Sequence, residues 1–91
     1  MKIAVIGAGY VGLVSSACLA EFGFDVFCVD HDAARVDDLN AGRIPIHEAG
    51  LDSLIHAHRQ AGRLHFTRDL KSAVAQAEAI FIAVSTPTRR G

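Results

Sequence analysis

Ile3-Ala4-Val5-Ile6-Gly7-Ala8-Gly9-Tyr10-Val11-Gly12-Leu13-Val14-Ser15-Ser16-Ala17-Cys18 is the stretch that decides the fold of this 91-residue chain. An unbroken apolar, partly β-branched run meets a glycine cluster, and behind the cluster comes a proline-free stretch of small and apolar residues. That order reads as strand, tight turn, helix. The glycines stand as Gly7-x-Gly9-x-x-Gly12, and each has a separate task in a dinucleotide-binding turn. Gly7 permits a sharp exit from the strand. Gly9, with no Cβ, lets a diphosphate come close to the main chain, where the first helical amides favour negative charge. Gly12 lets the helix pack tightly on the strand.

A glycine turn alone also serves packing in many α/β proteins, so context has to decide. The turn should follow a strand and open a helix, and an acid should end the next strand about 20 residues on. Asp30 meets the second condition: it closes the run Asp25-Val26-Phe27-Cys28-Val29, 18 residues past Gly12. A carboxylate there accepts two ribose hydroxyls and repels a 2′-phosphate, which predicts NAD in preference to NADP.

Working outward, the first strand covers about Lys2 to Ile6 and the helix runs from about Tyr10 or Val11 to Phe22. Val11, Val14, Ser15, Cys18 and Phe22 follow helical spacing and are expected to face the sheet. Gly23 ends this helix, and Asp25 to Val29 form the second strand. A second helix is capped by Asp32 and closed by Asn40 or Gly42. Arg43 to Gly50 should be an extended loop, because Pro45 disfavours helix before it. A third helix follows from Leu51 to about Ala61, a third strand at Leu64 to Thr67, a fourth helix from Leu70 to Gln76, and an apolar fourth strand from Ala79 to Val84. The doubly wound rule orders the strands 3-2-1-4, a partial Rossmann-like parallel sheet with helices on both faces and Gly9, Asp30 and Thr86 on one rim. Its fourth strand is then an unpaired apolar edge, which predicts self-association.

Composition agrees with one small globular domain: 51% of residues are hydrophobic and 21% charged, and the net charge is −1. No basic field is present to draw nucleic acid or an anionic membrane. The uncharged run from Ile3 to Ala20 is not a signal peptide or membrane span, because three glycines would cut such a helix and Lys2 alone makes a thin basic flank. The expected compartment is the cytoplasm. Cys18 and Cys28 are too few for a disulfide framework and read as reduced, buried thiols. His47, His56, His58 and His65 do not complete a metal shell, since His56 and His58 point to different sides of a helix.

Four segments carry a resemblance: Gly7-Ala8-Gly9-Tyr10-Val11-Gly12-Leu13, Val29-Asp30, Ile44-Pro45-Ile46-His47-Glu48-Ala49-Gly50-Leu51, and Val84-Ser85-Thr86-Pro87. Together they resemble the UDP-glucose/GDP-mannose dehydrogenase family, whose members commonly have proline where Ala49 stands and often glycine where Ser85 stands. The resemblance implies oxidation of a nucleotide sugar's C6 alcohol to a carboxylate in two NAD-dependent steps, through a cysteine to which neither Cys18 nor Cys28 corresponds. It implies residues 1–91 as a truncated N-terminal NAD-binding domain, a UDP-sugar as partner of the complete enzyme, and no catalytic residue here. The cofactor contacts implied by motif and resemblance are Gly7, Gly9, Tyr10, Val11, Gly12, Asp30, Arg35, Ser85 and Thr86. Two of these have plainer alternatives: Arg35 as a solvated residue paired with Asp32 or Asp38, and Thr86 as part of a strand-ending turn. A nucleotide-sensing module without catalysis, or a fragment that binds nothing, are the competing readings.

Overall fold

A computed structural model describes residues 1–84. The elements alternate as β1 (Lys2–Ile6), α1 (Tyr10–Glu21), β2 (Asp25–Val29), α2 (Ala33–Asn40), α3 (Leu51–Gln60), β3 (Leu64–Thr67), α4 (Leu70–Gln76) and β4 (Ala79–Ile82). The strands form one parallel sheet in the order β3-β2-β1-β4, as expected. Helix starts follow side-chain chemistry. The Asp32 carboxylate accepts from the Arg35 N–H at 3.2 Å, and that of Asp69 accepts from the Ser72 N–H at 3.0 Å, each meeting an amide the helix itself leaves open.

One sheet face carries the main core, in which Ile3, Val5, Val26, Cys28 and Leu64 meet Leu13, Ala17 and Ala20 of α1, Val36 and Leu39 of α2, and Ile55 of α3. The opposite face is smaller, with Ala4 and Val29 under Ala73 of α4. This is the two-faced cover that makes parallel strands nearly all apolar.

Two expectations are corrected. The face of α1 on the sheet is Gly12, Leu13, Ser16, Ala17 and Ala20, whereas Val11, Cys18 and Phe22 are exposed and Val14 and Ser15 half-buried. Before Glu21 the helix is uncharged all round, so apolar spacing gives it no phase. Phase comes instead from Gly12, where a Cβ would overlap the Gly7 carbonyl. Small residues beyond it then let the helix close on the strands. Cys18 is accordingly exposed, not buried. The second correction is that β4 stops at Ile82. Its partner β1 ends at Ile6, and Gly7 turns away at φ +111°, although the Ala83 N–H still donates to the Ile6 carbonyl at 2.8 Å. Among the described residues no helix is long and apolar enough to cross a membrane.

Candidate functional site at the strand ends

The carboxyl ends of the strands open on a cleft of about 530 Å³, lined by Ile6, Gly7, Gly9, Val29, Asp30, His31, Asp32, Arg35, Arg68, Leu70, Ala83 and Val84. Hydrogen bonds between strand ends fix its floor: Gly7 N–H to the Val29 carbonyl at 2.7 Å, and Asp30 N–H to the Thr67 carbonyl at 3.1 Å.

The three motif glycines behave differently. Gly7 sits at φ +111°, where a Cβ would lie 3.0 Å from the Ala83 carbonyl atoms, and Gly12 is wedged against the Gly7 carbonyl. The fold therefore demands both. Gly9 is the N-cap of α1 at φ −77° and ψ −163°, and a Cβ there would meet nothing within 4 Å. Neither backbone nor packing demands it. No side chain caps α1, and no acid stands in its first turn. The first helical bond runs from the Leu13 N–H to the Gly9 carbonyl at 2.9 Å, so helix geometry leaves the amides of Tyr10, Val11 and Gly12 without a partner inside the helix, beside the bare main chain of Gly9. Open amides at the positive end of a helix suit a bound anion.

Asp30 closes the other wall. Its carboxylate points at the glycine turn, accepting from the Ala8 N–H at 2.9 Å through Oδ2 and from the Asp32 N–H at 2.9 Å through Oδ1. Arg35 Nη1 donates to Oδ2 at 3.2 Å. Asp30 is only 8% exposed. Burial alone raises its pKa, but the two amides and the Arg35 guanidinium outweigh it and hold the carboxyl below its ordinary value. It is therefore a fixed anion at neutral pH. Arg35, though half exposed, belongs to this group: its guanidinium goes to Asp30, and Asp38 pairs with Arg43 at 2.8 Å.

Of the expected contacts, Gly7, Gly9, Asp30 and Arg35 line the cleft, and Tyr10, Val11 and Gly12 form the helical turn beside it; Ser85 and Thr86 lie outside the described residues. The cleft also includes residues the motif reading leaves out. Arg68 and Leu70 reach it because they follow the end of β3, a position that the rule of strand carboxyl ends would have marked. Cys28 lies in the core beneath the turn, where burial pushes its thiol up to about 11 and so keeps it protonated. His58 is taken up by Glu21 at 2.7 Å, and His65 stacks on Phe27 and bonds Asp25 at 3.1 Å.

Comparison with known proteins fits this geometry. The UDP-glucose 6-dehydrogenase of Rhizobium meliloti is 58% identical over 91 residues, which is all of this chain and 21% of that protein. The GDP-mannose 6-dehydrogenase of Pseudomonas aeruginosa is 42% identical over 90 residues, 99% of this chain and 21% of that protein. Among solved structures, a ternary complex of GDP-mannose dehydrogenase from the same species superposes with a TM-score of 0.92 at 42% identity, covering 99% of this chain and 21% of that one. A UDP-glucose dehydrogenase from Pyrobaculum islandicum superposes at 0.87 with 40% identity, covering 94% and 20%. The chain thus spans about a fifth of the length of the relatives it matches. The family described as "UDP-glucose/GDP-mannose dehydrogenase family, NAD binding domain" matches residues 1–91. This chain belongs to the UDP-glucose/GDP-mannose dehydrogenase family and carries its NAD-binding domain.

Proposed function

We propose that this chain is the cofactor-binding part of a nucleotide-sugar dehydrogenase of the UDP-glucose 6-dehydrogenase type, which oxidises the C6 alcohol of UDP-glucose to the carboxylate of UDP-glucuronate with two NAD. The observation that carries this reading is Gly9. Its conformation and surroundings would accept a side chain, so the bare backbone is explained by a ligand that needs the space.

In this reading the amides of Tyr10, Val11 and Gly12 receive the cofactor's diphosphate, with Gly7 and Gly9 leaving the approach clear. Asp30 accepts the adenosine ribose hydroxyls. A carboxylate has about four acceptor positions; two face fixed amides and a third faces Arg35. Two ribose hydroxyls therefore displace the half-exposed Arg35, which remains at the adenosine end. Ser85 and Thr86 follow the fourth strand and would contact the cofactor from that side. NAD when bound supplies a hydride acceptor; this chain's residues bind and orient it. The nucleophilic cysteine and the UDP-sugar contacts belong, in this reading, to sequence beyond the N-terminal domain formed by residues 1–91. The exposed apolar β4 supports self-association of the chain when it stands alone.

Calorimetric titration tests the cofactor role. The chain should bind NAD well above NADP, and Asp30→Ala should weaken NAD about tenfold through lost hydrogen bonds to a charged acceptor. Equal heats for NAD, NADP and the Asp30→Ala chain would remove Asp30 from the site.

A further inference from the structure

The segment from Ile44 to Leu51 marks the family resemblance, yet none of its residues touches the cleft. A side-chain hydrogen bond ties it to the glycine turn. The Tyr10 hydroxyl donates to Glu48 Oε1 at 2.8 Å and lies 2.9 Å from Oε2, joining positions 38 residues apart. Tyr10 is the first residue of α1, next to Gly9, and is 56% exposed, so burial does not hold its ring. Glu48 is better held. Its carbonyl accepts from the Leu51 N–H at 3.1 Å where α3 begins, and Ile44 and Ile46 of the same loop pack on the main core. The bond also raises the Tyr10 pKa, the Glu48 hydrogen bond contributing most, so the phenol stays a donor at neutral pH. A helix that starts at glycine with no side-chain cap has nothing local to steady its first turn.

We propose that Glu48 is a positioning residue for the cofactor: through the Tyr10 hydroxyl it holds the first turn of α1 so that the amides of Val11 and Gly12 stay aimed at the diphosphate. The proposal rests on the reading that this turn receives the NAD diphosphate.

The test titrates the chain with NAD, ADP and adenosine. Tyr10→Phe and Glu48→Ala should each weaken NAD and ADP about fivefold, the worth of one hydrogen bond, and leave adenosine, which has no phosphate, unchanged. The double variant should be no weaker than either single one, because both remove the same bond. Glu48→Gln, whose amide oxygen still accepts from the phenol, should recover most of the loss. Both side chains are exposed, so melting should confirm that every variant folds. Unchanged NAD affinity, additive losses, or an equal loss for adenosine would overturn the positioning role while leaving the cofactor reading intact. A parent chain that binds neither NAD nor ADP would overturn both.

Discussion

The β1–β2 corner and β4 belong to the same sheet, yet the chain covers them very differently. At the corner Val5, Cys28 and Leu13 are fully buried and Asp30 is held by three donors. At β4, Ile80 and Phe81 are about half exposed and Ile82 is 70% exposed. Among the described residues β4 pairs with β1 alone. Alternation puts Ile80 and Ile82 on the face of Ala4 and Ile6, and Phe81 on the face of Val5, so β4 is under-covered on both sides. Among the described residues the corner end of the cleft is therefore closely built, whereas the end along β4 is a floor with little around it. Binding should depend on the corner far more than on β4.

Breaking the corner should have the largest effect. Gly12→Val drives a side chain into the Gly7 carbonyl and should cost about 3 kcal/mol or more in stability, near the upper end for overpacking. Gly9→Val, in open space, should cost no more than the about 1 kcal/mol of a poorer N-cap and abolish NAD binding. If both variants melt alike and bind alike, the division of labour among the glycines is wrong. Somewhat smaller is the contrast along α1. Leu13→Ala opens the core and should cost about 2–5 kcal/mol, while Phe22→Ala, at a residue 79% exposed, should stay within about 0.5 kcal/mol. Chemical denaturation of the two variants checks the phase of the helix directly. On β4 the expected change is in association, not stability. Ile82→Lys should shift the light-scattering mass toward monomer with folding altered by less than about 1 kcal/mol, because the edge is already in water. A chain that is monomeric before the substitution would show that the edge is not sticky.

What could be read from sequence follows the same division. Strand order, helix limits and the Gly7–Asp30 constellation were legible because each has a local cause: a glycine that must take positive φ, an aspartate that caps, a β-branched run with no polar face. The phase of α1 was not legible, because Val11, Val14, Leu19 and Phe22 are as apolar as Leu13, and the deciding contact of Gly12 with Gly7 is one of shape. Arg35 was half legible. Sequence offered Asp32 and Asp38 as partners at helical spacing, but the turn from β2 into α2 carries the side chain back to Asp30. The Tyr10–Glu48 bond had no local signal at all, since only the packing of α3 beside α1 brings those residues together.

The smallest expected effect lies at Arg68, on the β3 side of the corner and away from β4. It stands one residue past Thr67, whose carbonyl holds the Asp30 amide, and it lines the cleft while remaining exposed. Asp30 and Arg35 already neutralise each other in part, so in the proposed reading Arg68 adds positive charge on the side of the cofactor's diphosphate. A solvated cation at a rim is worth little and is screened by salt: Arg68→Ala should weaken NAD about two- to threefold at low ionic strength and scarcely at all at about 1 M, where screening reaches only a few ångströms. A loss of tens of fold that ignores salt would mean that Arg68 is seated directly on the cofactor, and the β3 side of the cleft would then be as fully built as the corner. No loss at either salt would leave Arg68 a surface charge and confine the binding energy to β1, α1 and β2.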